Sequence, residues 1–442
     1  MNFTIKRILW IALTGLCFSL WSCKSEKTEE NSEAKAEKTD DVSETNAGKT
    51  DEEPEAIAEQ CPINLTEAQK DFVNGNNAFT LKFLKTINDY DTTDNSFFYS
   101  PLSIVYVLSM VNDAAEGTTR QELEKTMGFR KGGIEAINEY CKTLIDSLPK
   151  VDARTKLHIA NAVFVNDKYK LKSQFQKDMQ TFYDANAESL NFSSPTSLNR
   201  INGWCNDKTN GLIPDILEEI DPIAVSYLLN AIYFKANWAE KFDEFETQTE
   251  TFTTPNDPIP TPLMHKSLEL KYFKNETFAS VDIPYGNEMW SMTVMLPEEG
   301  KNTNDVIDYL NKNGLSFLTE TRTYNVDLKL PRFETESTAD KLLIKVLEKM
   351  GMQRVFAENA EIPNMCDDNL FINMMRQKAI IKVNETGTEA AVVTVAGTVP
   401  LSAKYPSPKA VFYADHPFVY VIREASTGVV LFVGKFTGLN SK

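Results

Sequence analysis

The sequence predicts an α+β domain whose sheets are largely antiparallel. Three observations carry this. Helix signals gather mostly in the first half of the chain and strand signals mostly in the second. No strand–helix–strand regularity of the kind that builds a parallel sheet runs through it. The chain closes on two apolar runs, Phe418–Arg423 and Val429–Val433, joined by the turn residues Ser426-Thr427-Gly428.

The elements follow in order. Thr66 followed by Gln69 fits a capping box, and Phe72, Phe79 and Phe83 then fall on one helical face. Ser100-Pro101 starts a second helix, with proline in the first turn. It runs to Val111 and is apolar nearly all round, so it is expected to be buried. Thr119 and Glu122 are spaced as a further capping box, and Asn199–Thr209 reads as a helix stopped by Gly211. Strands are expected at Leu157–Val165, Val225–Phe234, Met292–Leu296, Val326–Leu330 and Ala379–Val383, ahead of the closing pair. No internal repeat is present.

The chain has 442 residues, enough for a large core, and a formal charge of −17. That charge argues against nucleic acid as a partner. Residues 24–60 hold five lysines and thirteen acidic residues and no aromatic residue. Such a stretch buries too little surface to offset its ordering entropy, so it reads as a disordered acidic tether. Ahead of it, Lys6 and Arg7 precede the short apolar core Ile8–Trp21, the pattern of an export signal over residues 1–23. Leu20-Trp21-Ser22-Cys23 resembles a bacterial lipobox, although Trp21 stands where a small residue is usual. On that reading Cys23 is lipidated and the protein is exported and anchored to a bacterial membrane, at the outer membrane or cell surface. The alternative is an ordinary secretory signal with an incidental cysteine. The folded domain is expected over 61–442. Cys61, Cys141, Cys205 and Cys366 lie far apart with no C-x-x-C spacing, so neither a zinc site nor a disulfide framework is indicated.

Catalytic signatures are missing. The three histidines, His158, His265 and His416, form no H-E-x-x-H pattern, and the chain has no G-x-S-x-G, Walker A or G-x-G-x-x-G motif. An enzyme is therefore the weaker class, and no cofactor or metal is expected. The informative segment is Val383–Ser402. After Glu389 it carries no charge until Lys404, and its residues are small or β-branched, fit for a strand. Yet Pro400, Pro406 and Pro408 follow, and proline cannot donate to a ladder. The composition suits a segment exposed in one state and a strand in another.

Six blocks in order carry a resemblance. They are Asn95–Ile104 with Glu116-Gly117-Thr118-Thr119, Leu229–Trp238, Leu330-Pro331-Arg332-Phe333, Glu385–Ala391, Asp415-His416-Pro417-Phe418 and Leu431-Phe432-Val433-Gly434. Together, over Leu65–Leu439, the chain resembles the serpins. The resemblance implies one domain of three mostly antiparallel sheets with eight or nine helices and an exposed reactive-centre loop at about 385–410. The hinge of that loop would be Glu385, Gly387, Thr388, Glu389, Ala390 and Ala391. Family spacing counted from Glu385 puts the reactive bond at Leu401–Ser402, with Lys404 as the competing site because the loop's far side is longer than usual. Leucine before the bond suits chymotrypsin-like or elastase-like proteases, and lysine would suit trypsin-like ones.

The implied function is irreversible inhibition of serine proteases, and in some relatives of cysteine proteases, by a monomer, through cleavage of the reactive loop, trapping of the acyl-enzyme and insertion of the freed loop as a strand of the central sheet. The alternative is a non-inhibitory binding or carrier protein on the same fold. The resemblance further assigns Ser100, Ser103 and Asn202 to a polar cluster beneath the point where the central sheet parts, and Trp238 to the point where insertion begins. In that cluster Gln377 stands where the family usually has histidine. An amide both donates and accepts, so the cluster is expected to survive without a pH response.

Overall fold

The computed structural model describes residues 59–91, 93–388 and 406–438. Cys23 and nearly all of the tether lie outside them, as do Glu389, Ala390, Ala391, Leu401, Ser402 and Lys404. The first part of the chain forms α1 (Glu67–Tyr90), β1 (Phe97–Tyr99), α2 (Pro101–Ala114), α3 (Gly117–Met127) and α4 (Gly133–Ser147). Next come β2 (Lys156–Asn166), α5 (Ser173–Tyr183), β3 (Asn186–Leu190), α6 (Pro195–Lys208) and β4 (Ser226–Asn237). A strand-rich stretch follows: β5 (Gln248–Phe252), β6 (Ile259–Lys274), β7 (Phe278–Tyr285) and β8 (Trp290–Pro297). Then come α7 (Thr303–Asn313), β9 (Arg322–Pro331), β10 (Phe333–Ala339) and α8 (Lys341–Met350). The last strands are β11 (Met374–Asn384), β12 (Gly387–Thr388), β13 (Lys409–Tyr413), β14 (Phe418–Glu424) and β15 (Val430–Phe436).

The α+β class and the drift from helix to strand are as expected. Thr66 and Gln69 form the capping box at α1. Ser100 caps α2, whose residues are nearly all buried. The box read at Thr119 and Glu122 is not formed. α3 begins three residues earlier than that box would start it, at Gly117, and a distant carboxylate does the capping: Glu361 accepts from Thr118 N at 2.8 Å. Glu122 instead accepts from the amides of Gln353 and Arg354, both at 2.8 Å. α6 starts at Pro195, four residues before the expected Asn199, because Ser194 caps it.

Among the described residues the strands form two hydrogen-bonded sheets. One has nine strands, in the order β1-β15-β14-β8-β7-β6-β9-β13, with β5 pairing β6. Two of the three expected layers are joined here because β6 is continuous. Its start pairs β5, its end pairs β7, and β9 lies along most of its length. The other sheet has six strands, β10-β11-β12-β4-β2-β3. It buries both faces. Ile232, Phe234, Ala379, Ile381 and Val383 point into the main core, and Leu229, Ala231 and Tyr227 into a smaller one under α6.

Candidate functional site

The site is built where β11 and β4 part. Their ladder is parallel and runs from Met374↔Tyr227 to Ala379↔Ile232. Above that point Gly387 and Thr388 wedge between the strands. They pair antiparallel with Asn384 and Val383 on one side and with Asn237 and Ala236 on the other. Below the wedge remains a cavity of about 70 Å³, between Ile232–Phe234 of β4 and Ile380 and Lys382 of β11, also touched by Leu212 and Ile213 of the 209–217 linker. The two strands are thus held open at the top and closed at the bottom.

A tight turn lets the chain enter this slot. Asn384 Oδ1 accepts from Thr386 N at 3.1 Å, from Thr386 Oγ1 at 2.8 Å and from Gly387 N at 3.3 Å. Gly387 has φ +149°, and a Cβ there would lie 2.1 Å from the carbonyl oxygen of Ala236. Only glycine allows β12 to approach β4 so closely. Thr388 is buried, and its Oγ1 lies 2.7 Å from the hydroxyl of Tyr285. Burial pushes the Tyr285 phenol well above its ordinary range, so it keeps its proton. The Tyr285 ring stacks on Trp238 at 4.3 Å with an interplanar angle of 10°. Trp238 Nε1 donates to Asn384 O at 2.9 Å, and Trp238 N donates to Thr386 O at 2.9 Å. Trp238 therefore grips the turn from both its ring and its backbone.

Glu385 is buried and works beside this turn. Its Oε1 accepts from Thr247 Oγ1 at 2.6 Å and from the Arg332 guanidinium, and its carbonyl accepts from Phe242 N at 2.9 Å. Burial alone would push the carboxyl up. The Arg332 and Thr247 hydrogen bonds outweigh that and hold it below its ordinary range.

Lower in the slot lies a buried polar cluster. Ser100 N donates to Gln377 Oε1 at 3.0 Å, and Gln377 Nε2 donates to Ser100 O at 2.9 Å and to Asn230 Oδ1 at 3.0 Å. Asn230 Nδ2 donates to Asn161 Oδ1 at 2.9 Å. Ser100 Oγ donates to Leu431 O at 2.8 Å and lies 3.1 Å from Ser103 Oγ. Gln377 and Asn230 are cross-strand partners in the parallel ladder, so this hydrogen bond ties the strands together two residues below the end of their pairing at Ala379↔Ile232.

The expected cluster thus brings together Ser100, Ser103 and Gln377, but Asn202 is not in it. Asn202 lies on α6, where its side chain accepts from Ile216 N at 3.1 Å and Leu217 N at 3.0 Å and donates to Leu217 O at 2.8 Å. It fastens the linker, and Asn230 fills the cluster in its stead. Tyr285, Arg332, Thr247 and Asn161 are further members that sequence reasoning did not single out. Among the described residues no group of side chains is arranged to hold a metal ion, and no helix is long and apolar enough to cross a membrane.

Comparison with known proteins agrees with this architecture. The model of the family described as serpin (serine protease inhibitor) matches residues 74–438. A serpin-like protein of Thermococcus kodakarensis is 32% identical over 375 residues, covering 83% of this chain and 85% of its own. The native state of the thermophilic serpin tengpin superposes with a TM-score of 0.76 at 28% identity, covering 86% of this chain and 96% of that one. Thyroxine-binding globulin in complex with thyroxine gives a TM-score of 0.73 at 27% identity, covering 84% of this chain and 99% of that one. Gly387 and Thr388 seated between β11 and β4 agree with this match, which extends over most of the length and shows that the chain belongs to the serpin family.

Proposed function

We propose that the protein is an irreversible inhibitor of serine endopeptidases that works by strand insertion between β11 and β4. The observation that carries this is the seat of Gly387–Thr388, which already pair with both strands. A strand continuing from them would run antiparallel to both neighbours and replace an interior parallel ladder by two antiparallel ones, the slightly more stable pairing. In the same register, Ala390 would stand between Ile381 and Phe234, Val392 between Ala379 and Ile232, and Thr394 between Gln377 and Asn230. Those neighbours face the main core or the buried polar cluster. The three side chains are apolar or bear a hydroxyl that has Gln377 and Asn230 for partners, so none strands a charge. Glu389 would stand between Lys382 and Lys235 on the outer face.

The chemistry follows. The protease serine attacks the Leu401 carbonyl, the bond to Ser402 breaks, the Ser402 amine leaves with a proton, and an ester joins Leu401 to the enzyme. The freed segment then inserts, as reactive loops of this family do generally. Residues 387–401 as a strand span roughly 45–50 Å at ~3.3 Å per residue, enough to drag the protease the length of the sheet. Hydrolysis of the ester needs an intact oxyanion hole, where one donor alone contributes ~2.7–4 kcal/mol, so deforming the enzyme leaves the ester in place.

The test mixes the protein with chymotrypsin or elastase. An SDS-stable complex and release of a fragment beginning at Ser402, read by mass spectrometry, are expected. Clean cleavage without a complex would sink the inhibitory reading and favour a carrier. A fragment beginning after Lys404, with a complex formed by trypsin, would move the reactive bond. We further propose that Cys23 carries a lipid that anchors the exported chain. Replacing Cys23 with serine should release it from membranes.

A further inference from the structure

The linker 209–217 runs from the end of α6 and supplies Leu212 and Ile213 to the lining of the slot. A strand entering there would meet these two side chains. Most of the linker's fastenings cannot titrate. Asn202 holds residues 216 and 217, Arg376 donates to Ile216 O at 2.9 Å, and Thr209 Oγ1 accepts from Ile213 N at 3.1 Å.

One fastening differs. His158 on β2 faces the same side of the sheet as its cross-strand partner Tyr233, on which its ring stacks at 6.0 Å with an interplanar angle of 13°. Tyr233 lines the slot. His158 Nε2 lies 3.0 Å from Asn210 Nδ2, at the start of the linker. Asn210 adopts φ +53°, a left-handed conformation that asparagine tolerates. With the amide nitrogen as donor, Nε2 is the acceptor and the ring is neutral.

We propose that His158 is a positioning residue for strand insertion: with Asn210 it clips the linker over the slot, and protonation of its imidazole opens the clip. A charged ring has no lone pair left for Asn210, and its Nε2–H points at another donor until the amide turns over. The charged groups around it add to this. Lys156 lies two residues away on its own strand, Lys235 of β4 is the cross-strand partner of Lys156, and Lys382 of β11 stands across the slot. On α6, Lys208 is engaged with Asp184 at 3.1 Å. Among the described residues no carboxylate forms an ion pair with His158. Burial, then Lys156, hold the imidazole below its ordinary 6.5. The folded protein therefore binds fewer protons here than the unfolded chain. The clip is complete above that value and weakens as pH falls below it.

The consequence for inhibition, faster insertion in mild acid, rests on the insertion reading above; the clip itself does not. Hydrogen exchange of the intact full-length protein tests it without any protease. Between about pH 8 and about pH 5.5, after correction for intrinsic rates, protection of Gly211–Ile213 should fall roughly fivefold, the worth of one lost hydrogen bond. His158→Gln keeps an acceptor for Asn210 without a titration, so its protection should not change with pH. Asn210→Ala should be poorly protected at both. Equal protection of the wild-type linker at both pH values, or a pH dependence retained in His158→Gln, overturns the clip. If the clip opens but the rate of insertion after nicking is the same at both pH values, the clip does not control insertion.

Discussion

The hydroxyl of Tyr285 lies 2.7 Å from that of Thr388, and this contact joins β12 to the nine-stranded sheet. Tyr285 ends β7, stacks on Trp238 beyond the end of β4, and so reaches the six-stranded sheet through both a ring and a hydrogen bond. The first residue pair of the wedge is therefore held by two sheets at once.

Tyr285→Phe keeps the stack and removes the bond. It leaves the buried Thr388 hydroxyl unsatisfied, which costs about 1–3 kcal/mol. The uncleaved protein should lose that much in urea denaturation, and the double variant Tyr285→Phe/Thr388→Val should recover most of it. If the single variant matches the wild type, the contact contributes nothing.

Glu385→Gln should destabilise the protein by about 1–2 kcal/mol, a charge-assisted bond to Arg332 discounted because the guanidinium is half exposed. The carboxyl is held below its ordinary 4.5, so the stability it contributes is complete above that value and is lost as pH falls through its lower folded value. Urea midpoints of the two proteins should therefore converge in acid. A gap that stays constant down to acid unfolding would mean that the charge of Glu385 does no stabilising.

How much of this was legible beforehand depends on the range of the interaction. The caps of α1 and α2, the buried α2 and the closing hairpin were readable because each rests on residues a few positions apart. The box at Thr119 and Glu122 misled because the true cap, Glu361, is more than two hundred residues away and leaves no local spacing. Asn202 misled for a related reason. Its place in the cluster came from the resemblance alone, and only the β4–β11 register shows that Asn230 on β4, not an amide on α6, meets Gln377. A usable signal existed: Asn230 interrupts the buried run Tyr227–Phe234, and a buried amide requires a partner. Tyr285 and Arg332 gave no such sign.

Gln377 is fully buried and serves Ser100 N, Ser100 O and Asn230. Gln377→Leu strands Ser100 N and Asn230 Oδ1, whereas Ser100 O keeps the amide of Ile104, so a loss of about 3 kcal/mol is expected from two partners that each cost ~1–3 kcal/mol when orphaned. Gln377→His tests the electrostatics instead. A histidine buried there would be held neutral, so its stability should fall as pH drops below the unfolded value near ~6.5, a dependence the amide at this position does not supply. Thermal denaturation in buffers spanning that value reads both effects, and a pH-independent histidine variant would show that the cluster stays open to water.

On the proposed mechanism, insertion should be helped by charge at its first step. Lys382 is held by Glu334 at 3.0 Å, whereas Lys235 has no ion pair among the described residues, and the β12 register would bring Glu389 between the two lysines. Reversing the charge with Glu389→Lys should slow insertion about fivefold, taking about 1 kcal/mol for a half-exposed pair. Slower insertion lets more protease escape by hydrolysis, so more inhibitor should be needed to silence a fixed amount of chymotrypsin. Adding Lys235→Glu to Glu389→Lys should restore the wild-type ratio, and raising the salt concentration should shrink the difference, because exposed charges are screened. A titration in which Glu389→Lys inhibits at the wild-type ratio would mean that the lysines at the mouth of the slot take no part in receiving the strand.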